Sequence, residues 1–120
     1  MTRRRFLFVG EQRSPRAIRM GVRLEDGRLA GRSLFDALIT CGVDPTRHLY
    51  CNIFEGHGRL IVHRSERAGL TIVGLGRKVQ QELVRLRIPH RALVHPAARG
   101  SIRKKARYAS HVQTVLFAAR

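Results

Sequence analysis

The sequence predicts an α/β fold of three layers, α/β/α, built on a four-stranded, mostly parallel sheet. Three observations lead there. Short β-rich runs alternate with amphipathic helical stretches along the chain. Strands separated by helical crossovers pair in parallel, with helices on both faces of the sheet. A length of 120 residues, 43% of them hydrophobic, sets one domain spanning 1–120 with one modest core as the default.

The elements follow in order. "RFLFVG" is the first strand and ends at Gly10. Glu11 to Arg32 reads as a long polar loop carrying Arg13, Arg16, Arg19, Arg23, Arg28 and Arg32; loops of that length in small domains are usually functional or mobile. Ser33 caps the next helix with Asp36 at the capping-box position, Leu34, Ala37, Leu38 and Cys41 form its apolar face, and Gly42 stops it. After the turn "VDPTRH" comes the second strand, "LYCNI". "FEGHGR" is a loop, and "LIVHRSERAG" is a short helix or an extra strand, with helix preferred. The third strand is "LTIVGLG". The helix "RKVQQELVRLR" aligns Val79, Leu83 and Leu86, and Pro89 ends it. "RALVH" is the fourth strand. The last helix runs from Ser101 to Ala118, with Ile102, Ala106, Ala109, Val112 and Leu116 inward and Arg103, Lys104, Lys105 and Arg107 outward or flanking.

Charge narrows the function. Lys plus Arg number 24 against 8 Asp plus Glu, a formal net charge of +16, and self-repulsion on that scale calls for a polyanionic partner. Of the cations, 21 are arginine, whose planar fork grips phosphate oxygens in pairs. A GC-rich coding sequence would also raise arginine over lysine, but it would leave the net charge unexplained. Contact with nucleic acid is therefore expected, ahead of an anionic membrane or an acidic protein. No apolar run approaches the ~20 residues of a membrane span. The start, "MTRRRFLFVG", has too short an apolar region for a secretory signal. Two cysteines, Cys41 and Cys51, suit a reducing compartment, so a cytoplasmic location is expected, with a nucleoid-associated or phage-encoded protein as alternatives; a monomer is expected as well.

Several chemistries find no support. "GLGRK" lacks the Walker spacing. The histidines at 48, 57, 63, 90 and 111 show no ligand spacing, so no metal is expected. No Ser or Cys stands in a nucleophile-elbow context. What remains is the rim of the sheet, because ligands in open parallel sheets sit outside the carboxyl ends of the strands. Those ends are Gly10-Glu11-Gln12, Asn52, Gly74-Leu75-Gly76 and His95-Pro96. An acid, an amide, a glycine turn and a histidine should converge there.

In this order the motifs resemble the uracil-DNA glycosylase superfamily, most closely the branch with G-E-x-P-G at strand one and H-P-[SA] at strand four. "FLFVGEQ", "RLAGRSLFDALITCGVDPTRHLYCNIF", "TIVGLGRKVQQEL" and "HPAARGSIRKKARY" carry the likeness and cover most of the chain. The resemblance implies strand order 2-1-3-4 and a metal-independent, cofactor-free DNA glycosylase that hydrolyses the N-glycosidic bond of a flipped uracil or other damaged base. It implies that His95 donates a hydrogen bond to the departing base and that Glu11 orients water or stabilises the sugar cation. Asn52, with Gly10, Gln12 and Leu29, would bind the base. Arg13, Gly76, Arg77, Arg99, Arg103, Lys104 and Lys105 would hold the DNA backbone, with Arg99 and the 97–100 loop entering the duplex. The chain departs from the pattern: it is shorter than usual, with the segment after Asn52 cut down, and three sequence features differ. Arg13-Ser14 replaces the Pro-Gly of the first motif, Leu29 stands at the base-stacking aromatic unless Phe35 or Phe54 substitutes, and the cluster cysteines of the branch are missing. A nucleic-acid-binding protein on the same scaffold, without catalysis and taking DNA or RNA, is the alternative.

Overall fold

Alternation along the first strand sets the architecture. In β1 (Phe6–Gly10) every residue is buried. Phe6 and Phe8 face one apolar cluster, while Leu7 and Val9 face another on the opposite side. A strand buried on both faces belongs at the centre of a covered parallel sheet. The computed structural model, which describes residues 4–97 and 104–117, has that arrangement. Its four strands, β1, β2 (Leu49–Asn52), β3 (Thr71–Leu75) and β4 (Arg91–Leu93), pair in parallel in the order β2-β1-β3-β4. On the Phe6/Phe8 side, α2 (Ala30–Thr40) and α5 (Lys105–Phe117) bury Leu34, Leu38, Val112 and Leu116. On the Leu7/Val9 side, α3 (Gly58–Arg67) and α4 (Arg77–Arg85) bury Val62, Val79 and Leu83. The three-layer fold and the strand order are those expected from the sequence.

The segment 11–32 is not one long loop. It folds into α1 (Pro15–Met20) and a 3-10 turn, Leu24–Asp26. Ser14 accepts the Ala17 N–H at 3.1 Å, Pro15 opens the helix, and Gly21 closes it with φ 65°. The Asp26 carboxylate accepts the Arg23 N–H at 2.7 Å. Next, α2 starts at Ala30, so Ser33 lies inside its first turn instead of capping it. Tertiary packing decides this: Gly31 rides on the Leu24 carbonyl, where a Cβ would come within 2.6 Å of the oxygen. "LIVHRSERAG" is helical, as preferred. Before Pro89 is reached, α4 has ended: Arg87 turns left-handed at φ 57° and the Ile88 N–H donates to Leu83 O at 2.9 Å. In α5, Ala106 is exposed and Tyr108 takes an inward position in its place. Ile102 and Arg103 lie outside the described residues.

Two sets of polar contacts brace the fold. The buried Glu82 of α4 accepts Arg85 at 2.6 Å and Arg59 of α3 at 2.8 Å, and these two guanidiniums hold its carboxyl down at about 2. Three histidines each accept a backbone N–H. The bonds are Phe6 N–H to His48 Nδ1 at 3.1 Å, Val94 N–H to His111 Nε2 at 3.0 Å and Ala97 N–H to His95 Nδ1 at 3.0 Å. Among the described residues no helix is long and apolar enough to cross a membrane.

Burial lowers the pKa of all three histidines, so the native state resists a proton that the unfolded chain takes up below about 6.5. Their contribution to stability is therefore present above that pH and lost as pH falls through the lower native values. Urea unfolding at pH 7.5 and 5.0 should give a smaller unfolding free energy at pH 5.0. Equal values at the two pHs would contradict this role for the imidazoles.

Candidate functional site

In-register pairing brings the strand ends together. Gly10 of β1 stands beside Asn52 of β2, and β3 and β4 end alongside. Outside this edge lies a cleft of about 550 Å³ whose walls include Gly10, Glu11, Gln12, Leu29, Asn52 and His95. That volume falls in the range of small-molecule sites. Its outer wall is the segment expected to be a loop: Ser14 to Ala17 of the α1 region, Val22 to Leu24, and the first residues of α2.

Asn52 is held from two sides. Its Oδ1 packs against Gly10 where any Cβ would collide. Its Nδ2 donates to Glu55 Oε1 at 2.9 Å. The same carboxylate accepts the Arg13 backbone N–H at 2.7 Å and Arg13 Nε at 3.1 Å. Partial burial pushes the Glu55 carboxyl up, but the two Arg13 bonds and the Asn52 bond outweigh it and hold the group below the usual carboxylate range.

His95 is aimed by its neighbours. The Val94 backbone before it is pinned twice by α5, through His111 and through the Tyr108 hydroxyl, which donates to Val94 O at 2.8 Å. Gly76, at φ 89°, lies against the His95 side chain, and its N–H donates to Leu93 O at 2.9 Å. Burial lowers the His95 pKa, opposed by the Glu11 carboxylate, so the ring is neutral at pH 7. Because Nδ1 accepts from Ala97, the proton sits on Nε2.

Glu11 faces Lys78 of α4 at 3.7 Å, and its carbonyl accepts the Phe54 N–H at 3.1 Å. Leu29 occupies φ 54°, ψ −126°, a region that costs a non-glycine residue about 1–3 kcal/mol and persists where the surrounding structure imposes it. No Phe, Tyr or Trp side chain lines the cleft among the described residues. Phe35 packs on Tyr50 at 5.4 Å, and Phe54 faces the Arg59 guanidinium at 5.3 Å, so neither stands in for the missing stacking residue.

The cations divide into groups. Arg13 lines the cleft but is engaged by Glu55. Arg16, Arg23 and Arg28 also line it and are exposed, with no ion-pair partner among the described residues. Gly76 and Arg77 open α4 beside the cleft without lining it. Lys104 and Lys105 are exposed at the start of α5, and Lys105 lies 3.7 Å from Asp36. Arg99 and Arg103 lie outside the described residues.

Sequence reasoning missed Glu55, Lys78, Tyr108 and His111, all of which act through another group. The arginine-rich segment expected at the rim supplies Arg13, Arg16, Arg23 and Arg28 to the cleft lining. Burial pushes both thiols up, Cys51 to about 12, so neither is a ready nucleophile. Among the described residues no three His, Cys, Asp or Glu side chains gather as a metal set would require. Comparison with protein-family models and with curated proteins finds no match.

Gly10→Ala forces its methyl into the Asn52 amide and should cost about 1–3 kcal/mol in urea unfolding, the scale of overpacking a closed core. A fully stable Gly10→Ala protein would mean that Asn52 is not fixed against β1.

Proposed function

We propose that the cleft takes a single nucleobase turned out of a DNA strand and hydrolyses its N-glycosidic bond. The observation that carries this reading is one neutral histidine with its proton on Nε2, one carboxamide and one carboxylate around the same cleft. As the bond to the sugar breaks, negative charge collects on the departing base and positive charge on the sugar. Nε2–H of His95 donates to the base oxygen as that charge develops, where a preoriented donor is worth most. Glu11 faces the sugar cation or orients the attacking water, and Lys78 holds it in place. Asn52 supplies an acceptor and a donor to the edge of the base. Arg16, Arg23 and Arg28, exposed on the cleft lining, offer guanidiniums to the flanking phosphates, with Arg77, Lys104 and Lys105 extending the basic surface.

Binding without cleavage is the second reading, and Leu29 favours it. Stacking on an aromatic side chain contributes ~1–3 kcal/mol per base, and leucine supplies none of it.

Labelled oligonucleotides carrying uracil, hypoxanthine or xanthine, single- and double-stranded, separate the two. After incubation and alkali, strand breaks should appear at the modified base, and His95→Ala should slow them ~10² or more. Intact strands at stoichiometric protein reject the enzyme. In either reading the affinity for DNA should fall steeply between 50 and 200 mM salt, roughly as counterion release dictates. A salt-independent constant contradicts phosphate contact.

A further inference from the structure

We propose that Glu55 and Arg13 are positioning residues that fix the Asn52 carboxamide in one orientation, so that the cleft selects bases presenting an N–H beside a carbonyl, such as uracil or hypoxanthine, over cytosine. The inference rests on the reading of the cleft as a base-binding site. A carboxamide has two ends of nearly equal shape, one donor and one acceptor, and its value as a reader depends on which end is where. In Asn52 the choice is made by charge. Nδ2 donates to Glu55 Oε1 at 2.9 Å, and Oδ1 lies against Gly10. Turning the amide over would set Oδ1 against a carboxylate oxygen and leave that carboxylate one donor short.

Nor is the carboxylate free to yield. Arg13 holds both of its oxygens, through its backbone N–H to Oε1 at 2.7 Å and its Nε to Oε2 at 3.1 Å. A proline at position 13, as in the motif the chain resembles, has neither donor. The departure at Arg13 and the presence of Glu55 thus form one device, stretching from the end of β1 to the turn after β2.

With the amide fixed, Oδ1 accepts a ring N–H and the second Nδ2 hydrogen donates to a neighbouring carbonyl. N3–H and O4 of uracil satisfy both, as do N1–H and O6 of hypoxanthine. Cytosine presents a bare N3 and an amino group, the reverse polarity, which only the overturned amide would match.

The test is competition binding of single-stranded oligonucleotides that differ at one position, deoxyuridine or deoxycytidine, to wild type and to Glu55→Gln. Glutamine keeps the shape of the side chain but can face either end of Asn52. Wild type should prefer deoxyuridine, and Glu55→Gln should lower that preference at least tenfold while its unfolding midpoint stays near that of wild type. Arg13→Ala, which keeps the backbone donor, should shift the ratio the same way by a smaller factor, and it serves if Glu55→Gln does not fold. A wild type with no preference, or variants with an unchanged ratio, overturns the proposal. Alkali treatment of the same samples reads cleavage separately: preference without strand breaks ends the excision reading and leaves the amide lock standing.

Discussion

The site depends on where four parallel strands stop. Because β1 sits between β2 and β3 in register, Gly10 ends beside Asn52, and the absence of a Cβ on Gly10 lets the carboxamide lie directly on the backbone of the neighbouring strand. The crossovers then return helices to that same edge. The first turn of α4 brings Lys78 to Glu11, and its glycine start backs His95. From α5, Tyr108 and His111 grip the chain one residue ahead of the imidazole. Residues 11, 52 and 95 meet because strand register and crossover geometry leave them no other place.

Much of this was legible in the sequence. Short β-rich runs separated by helical stretches point to the sheet, and the rule that ligands sit outside the carboxyl ends of parallel strands points to Glu11, Asn52 and His95. The helix 15–20 was also written there, as a serine before a proline with a glycine six residues on, but the arginine density of the segment masked it. The start of α2 was not legible. It is set by Gly31 packing on Leu24, a tertiary contact that overrides the capping signal at Ser33. Glu55, Tyr108 and His111 were equally hidden, since each matters only through a backbone or amide group that the fold brings to it. A residue whose role is to hold another carries no spacing signature of its own.

The histidines show how structural and chemical roles can share one side chain. His48, His95 and His111 all spend one ring nitrogen accepting a backbone N–H, which fixes the tautomer. Of the three, only His95 lines the cleft, and the proposed reading gives its remaining N–H to the departing base. The charge pattern has a similar division of labour. Glu82, Glu55 and Glu11 each neutralise cations that organise the fold or the site, while Arg16, Arg23 and Arg28 line the cleft with no ion-pair partner among the described residues. With 24 cations against 8 acids, the surplus is unavoidable, and its position beside the cleft is what gives it meaning.

The most direct measurement is a crystal structure of the protein with an oligonucleotide bearing a deoxyuridine analogue that resists hydrolysis. The account requires the base to leave its strand and sit in the cleft, with Nε2 of His95 and the carboxamide of Asn52 both within hydrogen-bonding distance of it and the flanking phosphates on the arginine side. A base still stacked in its strand, or a strand bound on another face with the cleft untouched, would contradict it.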